Sequence, residues 1–295
     1  MIDKIFPRNR LFSGVIAGAF GLLIVSLGGW WFTFAVGLIV HIGLLEYFRM
    51  AKSIGIRPAT KTTLVACHIM LITTQYGVNG ILPEELTSAV LPLSGAAICG
   101  WLILQPITGS IADISSSIFG LFYLGFLPSH WIRLRNIDDM TFINNSEFLS
   151  SINSDFINPG MIITLFTCLM IVSTDIGSYY FGKKYGKNSL STISPKKTIE
   201  GAVFGLISSM IIGSIFGNLM QWKFGILVGL FLGFLVALFS LVGDLTESMM
   251  KRNAGVKDSG EIIPGHGGIL DRIDSYLFTP AVIYYILSLL MPLIN

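Results

Sequence analysis

Eight stretches of this chain carry no Lys, Arg, Asp or Glu: Leu11–Leu45, Thr62–Pro83, Leu86–Ala112, Ile114–Ile132, Phe156–Thr174, Gly201–Trp222, Phe224–Gly243 and Ser275–Asn295. A helix of roughly 20 apolar residues crosses the hydrocarbon core of a bilayer, so each run reads as a membrane span. The first is 35 residues long and holds Gly28-Gly29-Trp30-Trp31 near its middle, which reads as a tight turn with interfacial aromatics between two helices. The pattern therefore predicts an all-α integral membrane protein of about nine transmembrane helices, a single polytopic domain over residues 1–295. Within it, 1–155 comprises the N-terminal helices and a polar external loop from 136 to 155, and 156–295 carries the residues suggestive of chemistry.

Charge at the ends of the runs sets an expected orientation. Lys4, Arg8 and Arg10 precede the first run with nothing resembling a small-residue cleavage site, which suggests a retained cytoplasmic start. Threading nine spans from there puts 16 of the 19 Lys and Arg on the inside and leaves Arg133, Arg135 and Lys223 outside, as the positive-inside rule requires. The C-terminus is then external, and the polar segments 175–200 and 244–274 lie at the cytoplasmic interface.

Composition narrows the class. Hydrophobic residues make up 53% of the chain and charged residues 12%, about half the charged share of a soluble domain, which excludes a soluble globular protein. The basic residues sit at the ends of apolar runs rather than along one stripe, which argues against nucleic-acid binding. Cys67, Cys99 and Cys168 lie inside apolar segments, with no CxxC spacing, and read as membrane-core packing.

The candidate chemistry is confined to the two polar segments. Phe224 to Arg252 runs without proline, and a helix of that length spans roughly 43 Å, longer than the roughly 30 Å core. Its end must reach the interface, where Asp244, Ser248, Lys251 and Arg252 share one face. Taken alone, this fits a snorkelling helix end equally well. Beyond it come Lys257-Asp258, Gly260 and Pro264-Gly265-His266-Gly267-Gly268, whose glycines permit an anion-binding nest. Asp271, Arg272 and Asp274 then fall in the first turn of a helix, as caps or as parts of a phosphate site. Asp244 and Asp271 facing a basic, glycine-lined pocket would repel each other and a phosphate, a conflict that a divalent cation resolves. The earlier segment runs from Asp175 through Ser194-Pro195-Lys196-Lys197-Thr198-Ile199-Glu200-Gly201. Ser194-Pro195 suits a helix N-cap and first turn, and the five lysines of the segment serve as membrane anchors or as phosphate ligands.

Ser248-Met249-Met250-Lys251-Arg252, four residues, Lys257-Asp258-Ser259-Gly260 and then Pro264 to Asp274 together resemble the C-terminal signature of phosphatidate cytidylyltransferases, also called CDP-diacylglycerol synthases. No position departs from it across these 27 residues. The Asp175–Gly186 and Ser194–Gly201 segments are similar to that family's as well, while the N-terminal half resembles it only in hydropathy.

The resemblance implies an integral membrane enzyme that joins CTP to phosphatidate, giving CDP-diacylglycerol and pyrophosphate, with Mg²⁺ and a second, monovalent cation such as K⁺. It implies Asp244 and Asp271 as metal ligands and Lys251, Arg252, Lys257 and Arg272 as neutralising cations. Asp258 and Asp274 complete the catalytic group together with His266, which either protonates the leaving group or supports the loop. The substrate-binding set comprises Asp175, Ser194, Lys196, Lys197, Thr198, Glu200, Ser248, Gly267 and Gly268. A homodimer stays open, and in a bacterium the membrane is the plasma membrane. Two rivals are a CTP-dependent polyprenol- or dolichol-type lipid kinase, which needs a base for its alcohol, and a transporter, which places polar residues at mid-membrane. Only Asp113 interrupts an apolar region, and it fits a short turn between spans.

Overall fold

A computed structural model describes residues 8–137, 158–260 and 267–290. Every long element is a helix: α1 (Arg8–Leu27), α2 (Gly29–Ser53), α3 (Thr60–Val78), α4 (Glu84–Ile103), α5 (Ile111–Leu121) continuing through a π-helical turn (Phe122–Phe126) into α6 (Leu127–Arg135), α7 (Pro159–Tyr185), α8 (Ile199–Leu219) and α9 (Gly225–Asn253). A short α10 (Leu270–Ile273), a 3₁₀ turn (Asp274–Tyr276), α11 (Thr279–Tyr285) and a π-helical turn (Ile286–Leu290) follow. Most of the expected polar loop, 136–155, lies outside the described residues.

The expected nine spans are not found. Six helices among the described residues are long and apolar enough to cross a membrane: Gly29–Ser53, Glu84–Ile103, Ile111–Arg135, Pro159–Tyr185, Ile199–Leu219 and Gly225–Asn253. The chain is thus a multi-pass membrane protein, but freedom from charge is a weaker condition than an unbroken apolar helix. The Thr62–Pro83 run forms α3, whose threonines, His68 and Gln75 dilute its hydropathy. The last run divides into 3₁₀, α and π pieces. The orientation and external C-terminus threaded through nine spans lose their basis with that count.

Two packed groups of helices set the architecture. In the N-terminal group, Leu44 and Phe48 of α2 are buried with Cys67 and Leu71 of α3 and with Leu124 and Ile132 of the α5–α6 rod. The break between α1 and α2 falls at Gly28, with φ +62°. Asp113 and Ser110 cap α5 reciprocally, and Asp113 also accepts from the Arg57 amide at 2.6 Å. The second group is a sheaf of α7, α8 and α9 held at backbone contact. A Cβ at Gly213 would run into the Gly229 carbonyl and one at Gly217 into that of Gly225, the small-residue packing that lets membrane helices close on each other. Between α7 and α8, a Cβ at Gly205 would strike Ser178.

Candidate active site

The C-terminal end of α9, the turn before α8, the α10 segment and the end of α2 meet at one end of the bundle. On α9, Glu247 and Ser248 are buried and Lys251 is half-buried. Lys251 Nζ stands between two carboxylates, 2.5 Å from Glu247 Oε2 and 2.6 Å from Asp271 Oδ1. Asp244, two turns earlier, pairs with Lys197 from the turn before α8. Arg252 is exposed and its Nε donates to the Ile193 carbonyl at 3.4 Å, so both polar segments identified in the sequence are tied together.

The glycine-containing segment docks on this helix end through two acids. Asp271 Oδ2 accepts from the Ser259 amide and hydroxyl, each at 2.9 Å, and from the Gly268 amide at 2.8 Å. Glu46, at the end of α2 and fully buried, accepts from the Ser259 hydroxyl at 3.0 Å, the Ile269 amide at 3.0 Å and the Leu270 amide at 2.9 Å. The amides that a nest would turn toward an anion are therefore held by carboxylates of the chain itself. Glycine is needed for this approach. A Cβ at Gly260 or Gly268 would collide with Glu46, and Gly267, at φ +82°, adopts a left-handed conformation. Asp274 is fixed by the Ser275 amide at 2.8 Å, and its backbone lies so close to α9 that a Cβ at Gly243 would overlap the Asp274 carbonyl.

The α8 entry is built differently from the expectation. Ser194 and Pro195 form a turn closed by the Lys197 amide on the Ser194 carbonyl at 3.1 Å, and the N-cap is Thr198, whose hydroxyl accepts from the Gly201 amide at 3.1 Å. Glu200 accepts from the Lys187 amide at 3.1 Å and from the Asn188 side chain at 2.9 Å, so it clamps the preceding turn. Lys196 is exposed beside it, as are Lys257, Asp258 and Arg272 along the other segment. His266 lies outside the described residues.

Together, Asp175, Asp244, Glu247, Asp271 and Asp274 surround Lys197 and Lys251 within electrostatic reach. Burial works against the charge of Asp271, but hydrogen bonding from Glu247, Lys251 and the Gly268 and Ser259 amides outweighs it and holds the carboxyl well below its ordinary range. Burial pushes Asp274 up to about 6, against the Ser275 amide and the lysines, and it lowers Lys197 against the pull of Asp274 and Asp175. Among the described residues, no group of three or more His, Cys, Asp or Glu is gathered as a ready metal cage. The donor set still suits a hard cation: Asp175, Asp244, Glu247, Asp271 and Asp274 present only oxygen ligands around the two ammonium groups, and oxygen ligands are what Mg²⁺ prefers.

Two members of this cluster are not marked out by the motifs of the sequence. Glu46 belongs to the N-terminal half, more than 200 residues from its partners, and nothing local distinguishes it. Glu247 stands one residue before Ser248 on a helix with a recognisable polar face, and its i, i+4 spacing to Lys251 is the signal that points to it.

A model of the cytidylyltransferase family matches residues 8–290. The chain is 44% identical to the phosphatidate cytidylyltransferase of Synechocystis sp., over 98% of this chain and 99% of that protein. It is 37% identical to the chloroplastic phosphatidate cytidylyltransferase 4 of Arabidopsis thaliana, over 94% and 72%, and 30% identical to the phosphatidate cytidylyltransferase of Bacillus subtilis, over 98% and 99%.

Proposed function

The chain belongs to the phosphatidate cytidylyltransferase family, a family of membrane nucleotidyltransferases, and on that footing we propose that it transfers the cytidylyl group of CTP to phosphatidate. An oxygen of the lipid phosphate attacks the α-phosphorus of CTP, the bond to the β-phosphate oxygen breaks, and CDP-diacylglycerol and pyrophosphate form. Because phosphatidate is already ionised at neutral pH, no base is required. The observation that carries this reading is the convergence of Lys197 and Lys251 with five carboxylates at one end of the bundle, where the two family-like segments meet.

Bringing two anionic substrates together is mainly a matter of positioning and charge neutralisation. Lys197 and Lys251 would meet the phosphates from within the cluster, and the exposed Lys196, Arg252, Lys257 and Arg272 form its cationic surround. Asp244 and Asp271 would hold Mg²⁺, which would supply Lewis-acid stabilisation of the reacting phosphates. A monovalent cation suits the charge that remains. Thr198 and Glu200 act by shaping the turn that carries Lys196 and Lys197. In a bacterial cell the membrane would be the plasma membrane.

Incubating the purified protein in detergent with labelled CTP, phosphatidate and Mg²⁺ tests the reading. CDP-diacylglycerol and pyrophosphate should appear in equal amounts. Release of CDP with a newly phosphorylated lipid would replace the assignment with a kinase.

A further inference from the structure

A cavity lined by α3, α4, α6 and α11 lies far from this cluster. Glu46, near the end of α2, touches the acidic site, whereas Arg135, at the end of α6, donates to the Val25 and Ser26 carbonyls beside the start of α2. Glu46 stands 18 positions beyond Gly28, which places these two ends about 27 Å apart along a helix, close to the thickness of a hydrocarbon core. Two residues before Arg135, Arg133 lines the cavity, whose volume is about 430 Å³, within the range of small-molecule sites.

Its wall combines apolar side chains of Met70, Leu91 and Phe126 with two opposite charges, Arg133 and Glu84. Arg133 is half-buried with its guanidinium 5.8 Å from the centre of the Tyr284 ring, and Glu84 lies in the first turn of α4. Neither side chain has an ion-pair or hydrogen-bond partner among the described residues, and they are too far apart to pair with each other. The Tyr284 ring satisfies one face of the guanidinium and leaves its N–H donors open to an anion, which it binds as a charge-assisted fork. We propose that the cavity is a second lipid site, at the membrane face opposite the acidic cluster, which holds a zwitterionic phospholipid with its phosphate on Arg133 and its ammonium on Glu84. A purely anionic headgroup would satisfy Arg133 but leave the Glu84 carboxylate facing negative charge. A headgroup with both signs satisfies both walls, and the Met70, Leu91 and Phe126 side takes the beginning of the acyl chains. Tyr284 and Tyr285 of the lining match the amphipathic ring character found at headgroup level.

The experiment compares thermal unfolding of the full-length protein in detergent with lysophosphatidylethanolamine, lysophosphatidylglycerol and monoacylglycerol of one acyl chain, and with soluble phosphoethanolamine. A ligand that binds only the folded state raises the midpoint. The ethanolamine lipid should raise it by several degrees, the glycerol lipid by less, and the other two negligibly. Glu84→Gln, at an exposed helix start, should erase the advantage of ethanolamine over glycerol. Arg133→Gln should bring both phospholipids down to the monoacylglycerol level while Arg133→Lys retains a response. Equal stabilisation by all three amphiphiles, an ethanolamine preference that survives Glu84→Gln, or full stabilisation by phosphoethanolamine alone overturns the assignment. Turnover is not measured in any arm, so the outcome is independent of the proposed catalytic reaction.

Discussion

Replacing Glu46 isolates what the N-terminal helices do for the candidate active site. The carboxylate is fully buried and accepts three hydrogen bonds, from the Ile269 amide on Oε1 and from the Leu270 amide and Ser259 hydroxyl on Oε2. Glu46→Gln keeps the shape but can present an acceptor on one side only. With the amide oxygen at the Oε2 position, its NH₂ group faces the Ile269 N–H; in the other orientation, two bonds are lost instead of one. An orphaned buried donor costs about 1–3 kcal/mol, so the gentler orientation loosens the 259–270 segment by about 2 kcal/mol. That corresponds to about 30-fold faster amide exchange by local opening. Because Ser259 also donates to Asp271, the loosening reaches the carboxylate that holds Lys251. Hydrogen exchange on the full-length protein, read peptide by peptide, should show the change at 256–274 and not in α7 or α8. Turnover should fall, and Glu46→Ala should fall further. Parental exchange rates in 256–274 with parental turnover in Glu46→Gln would refute this account of how α2 and the glycine segment are coupled.

Asp244→Asn and Asp271→Asn each remove a carboxylate charge proposed for Mg²⁺, and turnover should drop at least about 100-fold, since metal stabilisation of phosphoryl charge is worth several kcal/mol; near-parental rates at low Mg²⁺ would remove the metal assignment. Lys197→Met leaves the Thr198 cap intact but strips Asp244 of its partner, and steady-state kinetics should show a raised KM for CTP or phosphatidate, whereas unchanged values would return Lys197 to the role of an anchor. Asp274, pushed up to about 6 from 3.8 by burial, favours the folded state when protonated, so its contribution is complete below about pH 4 and is lost as pH rises through about 6; in metal-free detergent solution, Asp274→Asn should flatten the decline in unfolding midpoint across that window. Gly268→Ala puts a methyl group against Glu46 and Ser259 and should reproduce the Glu46→Gln exchange pattern.

What the sequence made legible is what short-range periodicity controls. The break at Gly28 follows from a local Gly-Gly turn signal, and the long helix that ends beside Arg252, with Asp244, Ser248 and Lys251 spaced along it, follows from an apolar run longer than a bilayer core; the structure has that helix at Gly225–Asn253. Helix starts are harder. Ser194-Pro195 is good capping chemistry, yet Thr198 caps α8, because Gly182, Gly186 and Gly201 close around the Thr198 side chain and tertiary packing outranks local preference. The span count fails for a related reason: uncharged runs record where charge is absent, not where an apolar helix stays unbroken. Glu46 is invisible because a lone acid near the end of an apolar helix looks the same whether it meets solvent or a loop more than 200 residues away.

The partners of Glu46 also revise what the glycines accomplish. Glycine-rich turns are commonly read as cradles whose amides point at phosphate, but here the Gly268, Ile269 and Leu270 amides already bond to Asp271 and Glu46. A phosphate approaching those amides would meet two carboxylates first. The glycines at 260 and 268 instead remove the Cβ atoms that would keep Glu46 from its partners, so their absence of side chain serves packing between distant parts of the chain. Attraction for the phosphates of the proposed substrates would then come from side-chain cations and from any metal that the carboxyl groups hold. Lys251 fits that division, because it is positioned by Glu247 and Asp271 at 2.5 and 2.6 Å rather than left to search for a ligand. The acids thus have two separate tasks: Glu46 fastens the segment, and Asp244, Glu247 and Asp271 aim the charges that would act on substrate.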